Sequence, residues 1–168
     1  MISWVKNKYC LVFLIFILLL VDGQFSYLLN SLFNYYVIIS SQLFLAALLF
    51  TCHNNSSAFI FFESTVIGLL FDFYYLNHIG VVTLVLPFLT FFIGKLDSRQ
   101  MTGFFSNLVI YLIFIFFFNI LSYFLSFLYG FTDVSLSFFI TYNLAPTLVF
   151  NILVFFVCQK PLRKLFLD

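Results

Sequence analysis

Charge is what this sequence lacks most. Only 8% of its 168 residues are Asp, Glu, Lys or Arg, while 64% are hydrophobic. A water-soluble domain carries about a quarter charged residues. This chain cannot cover itself with polar surface in water, and it reads as an integral membrane protein. Cysteine is also scarce. Cys10, Cys52 and Cys158 show neither a Cys-x-x-Cys nor a Cys/His metal spacing, and are expected to be free thiols near cytoplasmic ends of spans. There is no phosphate-binding glycine loop, no His-Glu-x-x-His and no Gly-x-Ser-x-Gly. The two histidines, His53 and His78, are expected at opposite membrane faces. No catalytic residue, metal or cofactor follows from the sequence, and an enzyme is not expected. No stripe of Lys and Arg with interleaved aromatics is present, which argues against nucleic acid as a partner.

Long apolar runs are what the chain does have. A helix crossing about 30 Å of hydrocarbon needs about 20 apolar residues. Six such runs are predicted, over residues 5–21, 35–52, 58–76, 79–94, 104–128 and 136–158. They are continuous rather than alternating, which excludes a β-barrel. The fold class is therefore all-α, with six transmembrane helices in one domain spanning residues 1–168. Lys6 and Lys8 precede the first run and no Ala-x-Ala cleavage site follows it, so it reads as a signal-anchor. Residues 25–33 (FSYLLNSLF) are too short to cross, and read as an amphipathic helix or loop at the surface. With six spans, all seven Lys and Arg fall on the side that the two termini share. Cytoplasmic loops carry the Lys/Arg excess, so both termini are expected to be cytoplasmic.

The third run contains the stretch VIGLLFDFYYLNHIG, with Asp72 between Gly68 and Gly80. A charged Asp at mid-bilayer costs about 2.5–3.5 kcal/mol on insertion scales, and less near the interface. On a helix Thr65, Gly68, Asp72 and Tyr75 share one face. The small Gly68 would let another backbone approach, and that neighbour would supply donors to the carboxylate. The competing readings are an Asp that reaches the outer headgroups, or one that caps the turn at residues 76–78. Glu63 lies nine residues earlier on the opposite face, toward the cytoplasmic end, where it is either solvated or paired with Lys95. The role of Asp22, just after the first run, stays open.

Two polar stripes mark the last two spans. Asn119, Ser122 and Ser126 share one helix face, and Asn143, Thr147 and Asn151 share another. They read as interhelical glue, with a hydrogen bond between Asn119 and Asn143, or alternatively as the lining of a small polar pocket. Pro146 removes a helical hydrogen bond, and nearby Asn or Thr side chains are expected to satisfy the freed carbonyl. Ser40, Ser41 and Gln42 interrupt the second run and should face protein.

Residues 66–96, VIGLLFDFYYLNHIGVVTLVLPFLTFFIGKL, resemble the rod shape-determining protein MreD family. The resemblance lies in Gly68-Leu69-Leu70-Phe71-Asp72 with the following tyrosine pair, then Gly80, an apolar helix with Pro87, and Gly94-Lys95-Leu96. Asp22 and Pro146 fit the short versions of this family. What the resemblance implies is a non-enzymatic scaffold of cell-wall synthesis and cell shape in the bacterial plasma membrane. Its implied partner is an MreC-like single-span protein, and through it a wall-synthesis glycosyltransferase/transpeptidase complex. Gly68, Asp72, Tyr75, Gly80 and Pro87 are then candidates for partner or helix packing, with Asn119, Asn143, Thr147 and Asn151 as interior polar residues. The family is also similar in fold to the substrate-binding subunits of energy-coupling-factor transporters. That makes a vitamin-binding transporter subunit the alternative, although the Ala-x-x-x-Ala docking pattern of those subunits is missing here.

Overall fold

Apolar runs become helices because only a helix or a closed barrel satisfies its own backbone in hydrocarbon. The computed structural model describes residues 8–95 and 103–166. Its helices are α1 (Lys8–Leu32), α2 (Leu43–Asn54), α3 (Ser57–Phe71), α4 (Val82–Ile93), α5 (Phe104–Leu128), α6 (Leu136–Phe139) and α7 (Ala145–Phe166), with no strand among the described residues. A π-helical turn over Asp72–Leu76 extends α3, and a second over Ile140–Leu144 joins α6 to α7. Lys6 and Arg99, part of the charge sorting, lie outside the described residues.

The six apolar runs do not all become helices of full crossing length. Among the described residues four helical stretches are long and apolar enough to cross a membrane: Cys10–Leu32, Ser57–Leu76, Phe104–Leu128 and Leu136–Gln159. The other two, α2 and α4, have 12 residues each. At 1.5 Å per residue that is about 18 Å, little more than half the hydrocarbon thickness. Residues 25–33 are not a separate surface segment, because most of them continue α1, and Asp22 sits inside that helix. Residues 35–42, expected as the first turns of the second span, are not helical. Asn34 and Tyr35 adopt positive φ and turn the chain, which then runs extended to Gln42.

Around α2 the other long elements gather: α1, α3, α4, α5 and α7 all pack on it. From Phe44 to Phe50 no residue is more than 2% exposed. A helix that is hydrophobic all round belongs at the centre, and Ala46 and Ala47 let its neighbours approach closely. The outward faces carry exposed phenylalanines such as Phe13, Phe61, Phe88 and Phe105, as lipid contact requires.

The tightest pair is α3 with α4. A Cβ added to Gly68 would lie 2.8 Å from the Thr83 Cα and 2.9 Å from the Val82 carbonyl oxygen. Gly23 is crowded differently, by the Tyr75 ring and hydroxyl reaching across from the π turn. A side chain can swing away, whereas a backbone cannot. Gly68→Ala should therefore cost about 1–3 kcal/mol through overpacking. In a Tyr75→Ala background Gly23→Ala should be nearly neutral, while Gly68→Ala keeps its full cost. Thermal denaturation of the purified variants in detergent reads the difference, and equal penalties in that background would refute it.

Candidate functional site

Helix N-termini leave backbone N–H groups without intrahelical acceptors. Both short helices start in the protein interior, and neither N-cap residue, Gln42 for α2 or Val81 for α4, caps with its own side chain. In each case a carboxylate from the preceding long helix takes that place.

For α4 it is Asp72, whose side chain is fully buried. Its Oδ2 accepts from the Gly80 N–H at 2.8 Å, the Thr83 N–H at 3.0 Å and the Thr83 hydroxyl at 2.8 Å. Its Oδ1 accepts from the Val82 N–H at 2.8 Å. Gly80 adopts φ +119°, a conformation that suits glycine, and so turns the chain to bring its N–H back to the carboxylate. A negative charge at the positive end of a helix is favourable, most of all where water is excluded. The face formed by Gly68 and Asp72 thus packs on α4 of the same chain. The carboxylate neither extends to headgroups nor caps residues 76–78. Tyr75 donates to the Leu19 carbonyl of α1 at 3.0 Å, and Pro87 is buried inside α4.

For α2 the residue is Asp22, which is 3% exposed. Its Oδ2 accepts from the Phe44 N–H at 2.8 Å and its Oδ1 from the Ser41 hydroxyl at 2.5 Å. The sequence left this residue without a role because its acceptor geometry depends on a helix start some twenty residues later.

The extended segment ahead of α2 poses an accounting question, since its backbone N–H groups lie where water is scarce. Side chains from α1 and α7 answer it. The Ile39 N–H donates to Asn30 Oδ1 at 2.7 Å and the Ser41 N–H to Ser26 Oγ at 2.8 Å. The Ser40 N–H donates to Thr147 Oγ1 at 3.2 Å and the Gln42 N–H to Asn151 Oδ1 at 3.0 Å. Asn151 Nδ2 donates in turn to the Ser40 carbonyl at 2.8 Å, and the Tyr111 hydroxyl donates to the Gln42 carbonyl at 3.1 Å. Pro146 has no N–H for the Tyr142 carbonyl, and the Ile38 N–H fills that vacancy at 2.8 Å. The donor is thus a backbone group, not the Asn or Thr side chain expected from the sequence.

The polar stripes consequently serve this segment more than each other. Asn119 exchanges hydrogen bonds with the Gln42 side chain at 3.3 and 3.2 Å. It does not pair with Asn143, whose Oδ1 is buried without a partner. The residues that sequence reasoning missed, Asn30, Ser26 and Tyr111, left faint signals. Tyr111 lies eight residues before Asn119, two turns along the same helix side, but one hydroxyl in an apolar helix does not disclose its partner.

Glu63 departs from both readings offered for it. It is fully buried beside Thr51 and Cys52, with neither oxygen hydrogen-bonded. Lys95 instead places its ammonium over the Phe91 ring, 4.2 Å from the centroid. Cys10, Cys52 and Cys158 are free. No group of three or more potential metal ligands occurs among the described residues.

Beside the extended segment that precedes α2, a cavity of about 840 Å³ opens. Its walls come from the second half of α1, the extended segment, the tip of α3, the second half of α5 and α6. Asp22, Gln42 and Asn119 line it with their hydrogen bonds already made, and Ser122 and Asn143 line it with oxygens that have none. Such a volume falls in the range of about 300–1,000 Å³ typical of small-ligand pockets.

Comparison with known proteins adds to this geometry. The model of the family described as rod shape-determining protein MreD matches residues 7–167. The cell shape-determining protein MreD of Streptococcus pneumoniae (strain ATCC BAA-255 / R6) is 34% identical over 148 residues, covering 88% of this chain and 90% of that protein. No solved structure matches the chain.

Proposed function

Because this chain belongs to the rod shape-determining protein MreD family, we propose that it is a non-enzymatic scaffold of cell-wall synthesis that holds an MreC-like single-span partner. It is a multi-pass protein of the plasma membrane and acts in determining cell shape. In our reading the chain crosses six times with both termini cytoplasmic, the short helices α2 and α4 completing their crossings through residues 37–42 and 77–81. The observation that carries the scaffold reading is the use made of the interior polar groups. Asp22, Asp72, Asn119, Thr147 and Asn151 all bind the chain's own backbone or side chains, which rigidifies the bundle and leaves its helical surfaces for association. Rigid surfaces lose little entropy when a partner docks.

Affinity purification from native membranes in mild detergent, followed by identification of co-purifying proteins, tests it. A single-span MreC-like protein at near-equal amount is expected; its absence from a preparation that restores cell shape would overturn the reading. The transporter-subunit alternative has the cavity in its favour. A stoichiometric vitamin released from the purified protein would put that reading first.

A further inference from the structure

We infer that the cavity beside the extended segment is a binding site for an uncharged, hydroxyl-bearing amphiphile drawn from the membrane, of the size of a monoacylglycerol. Its charge preference follows from what surrounds it. No Lys or Arg lines it among the described residues, so nothing there balances a phosphate or carboxylate. Its one carboxylate, Asp22, is committed to the Phe44 N–H and the Ser41 hydroxyl at the positive end of α2, and offers little free charge to a cation.

The demand for a hydroxyl comes from two oxygens that the framework leaves out. Ser122 Oγ and Asn143 Oδ1 are buried and unpartnered, although every surrounding amide and hydroxyl that holds the extended segment is paired. Buried polar atoms without partners are uncommon. Asn143 Oδ1 is an acceptor only, so the missing group must be a donor. The aromatic rings of Phe44, Phe71 and Phe118 form an apolar wall of the same cavity, suited to a chain or ring rather than to a fully polar solute. Its lining includes exposed aromatic residues, Tyr27 on α1 and Phe138 on α6, and such apolar, accessible edges favour the bilayer as the source. This inference concerns the cavity alone and stands apart from the partner reading above.

Native mass spectrometry of the purified full chain in detergent, titrated with monooleoylglycerol, oleoyl lysophosphatidic acid and oleylamine, tests it. Monooleoylglycerol is expected to fill one site, with both charged probes about tenfold weaker or worse. Asn143→Leu should weaken monooleoylglycerol by about tenfold, and Ser122→Leu, which removes the other unpaired oxygen, should weaken it as well. Neither oxygen makes a hydrogen bond in the bundle, so both variants should keep the parent melting temperature, which separates lost binding from lost folding. Equal binding of a charged probe, binding untouched by both variants, or no adduct at all would each overturn the inference.

Discussion

Asp72→Leu is expected to be the most damaging single substitution in this protein. It removes the acceptor for three backbone N–H groups and one hydroxyl, all at the start of α4. A buried donor left without an acceptor costs about 1–3 kcal/mol, and hydrogen bonds to a charged group lie at the strong end. Three orphaned N–H groups therefore amount to ~4 kcal/mol or more, comparable to the whole stability of many domains. Since α3 and α4 meet backbone to backbone at Gly68, loss of the cap should loosen that pair and propagate to α2 behind it. Asp72→Asn keeps one acceptor oxygen at the site and should lose only part of this. The measurement is yield of monodisperse protein and melting temperature in detergent. A Leu variant that matches the parent in both would show that the carboxylate is not what holds α4, and would remove the intramolecular reason for an acid at this depth. Cell-shape complementation by the same variants then separates stability from partner recovery: a well-folded Asn variant that fails to restore shape would implicate the residue in something beyond folding.

The second large effect is expected at Asn151. One side chain there accepts from the Gln42 N–H and the Tyr111 hydroxyl and donates to the Ser40 carbonyl. Asn151→Leu leaves the Gln42 N–H and the Ser40 carbonyl without these partners in a non-helical stretch whose polar groups are buried among the helices. A cost of about 3 kcal/mol is expected. Asn119→Leu should cost less, about 1 kcal/mol, because it strands only the Gln42 side chain, which can turn toward the cavity. Melting temperatures of the two variants give the order, and an Asn119 effect as large as that of Asn151 would mean that the extended segment is not what the stripes hold. Hydrogen exchange offers an independent check: the amides of residues 38–42 should be protected in the parent and open in the Asn151 variant, with α3 and α4 unchanged.

Composition alone determined that this chain lives in a membrane as a helical bundle, because a chain with 8% charged residues has no other way to satisfy its surface. The spacing of Gly68 and Asp72 pointed to one face of the third run meeting a close, donor-bearing neighbour, with a headgroup contact or a turn cap as the competing readings. The order of motifs along the chain was enough to point to the family. What the spacing could not disclose was which neighbour answers. The acceptor at Asp72 is served by residues eight to eleven positions later, and that at Asp22 by residues nineteen to twenty-two positions later, and both depend on where α4 and α2 begin.

Those starting points were hidden because an apolar run long enough to cross looks the same whether its first turns are helical or extended. Ser40-Ser41-Gln42 was the visible sign of a break in the second run. It gained meaning only once Asn30, Thr147 and Asn151, from opposite ends of the chain, converged on that backbone. Hydrophobicity is a property of each residue and can be summed along a sequence, whereas a buried hydrogen bond is a property of a pair. Only the tertiary structure decides which pairs are brought within hydrogen-bonding distance, and so only it could show two short helices capped by carboxylates from elsewhere in the chain, with a cavity beside one of them.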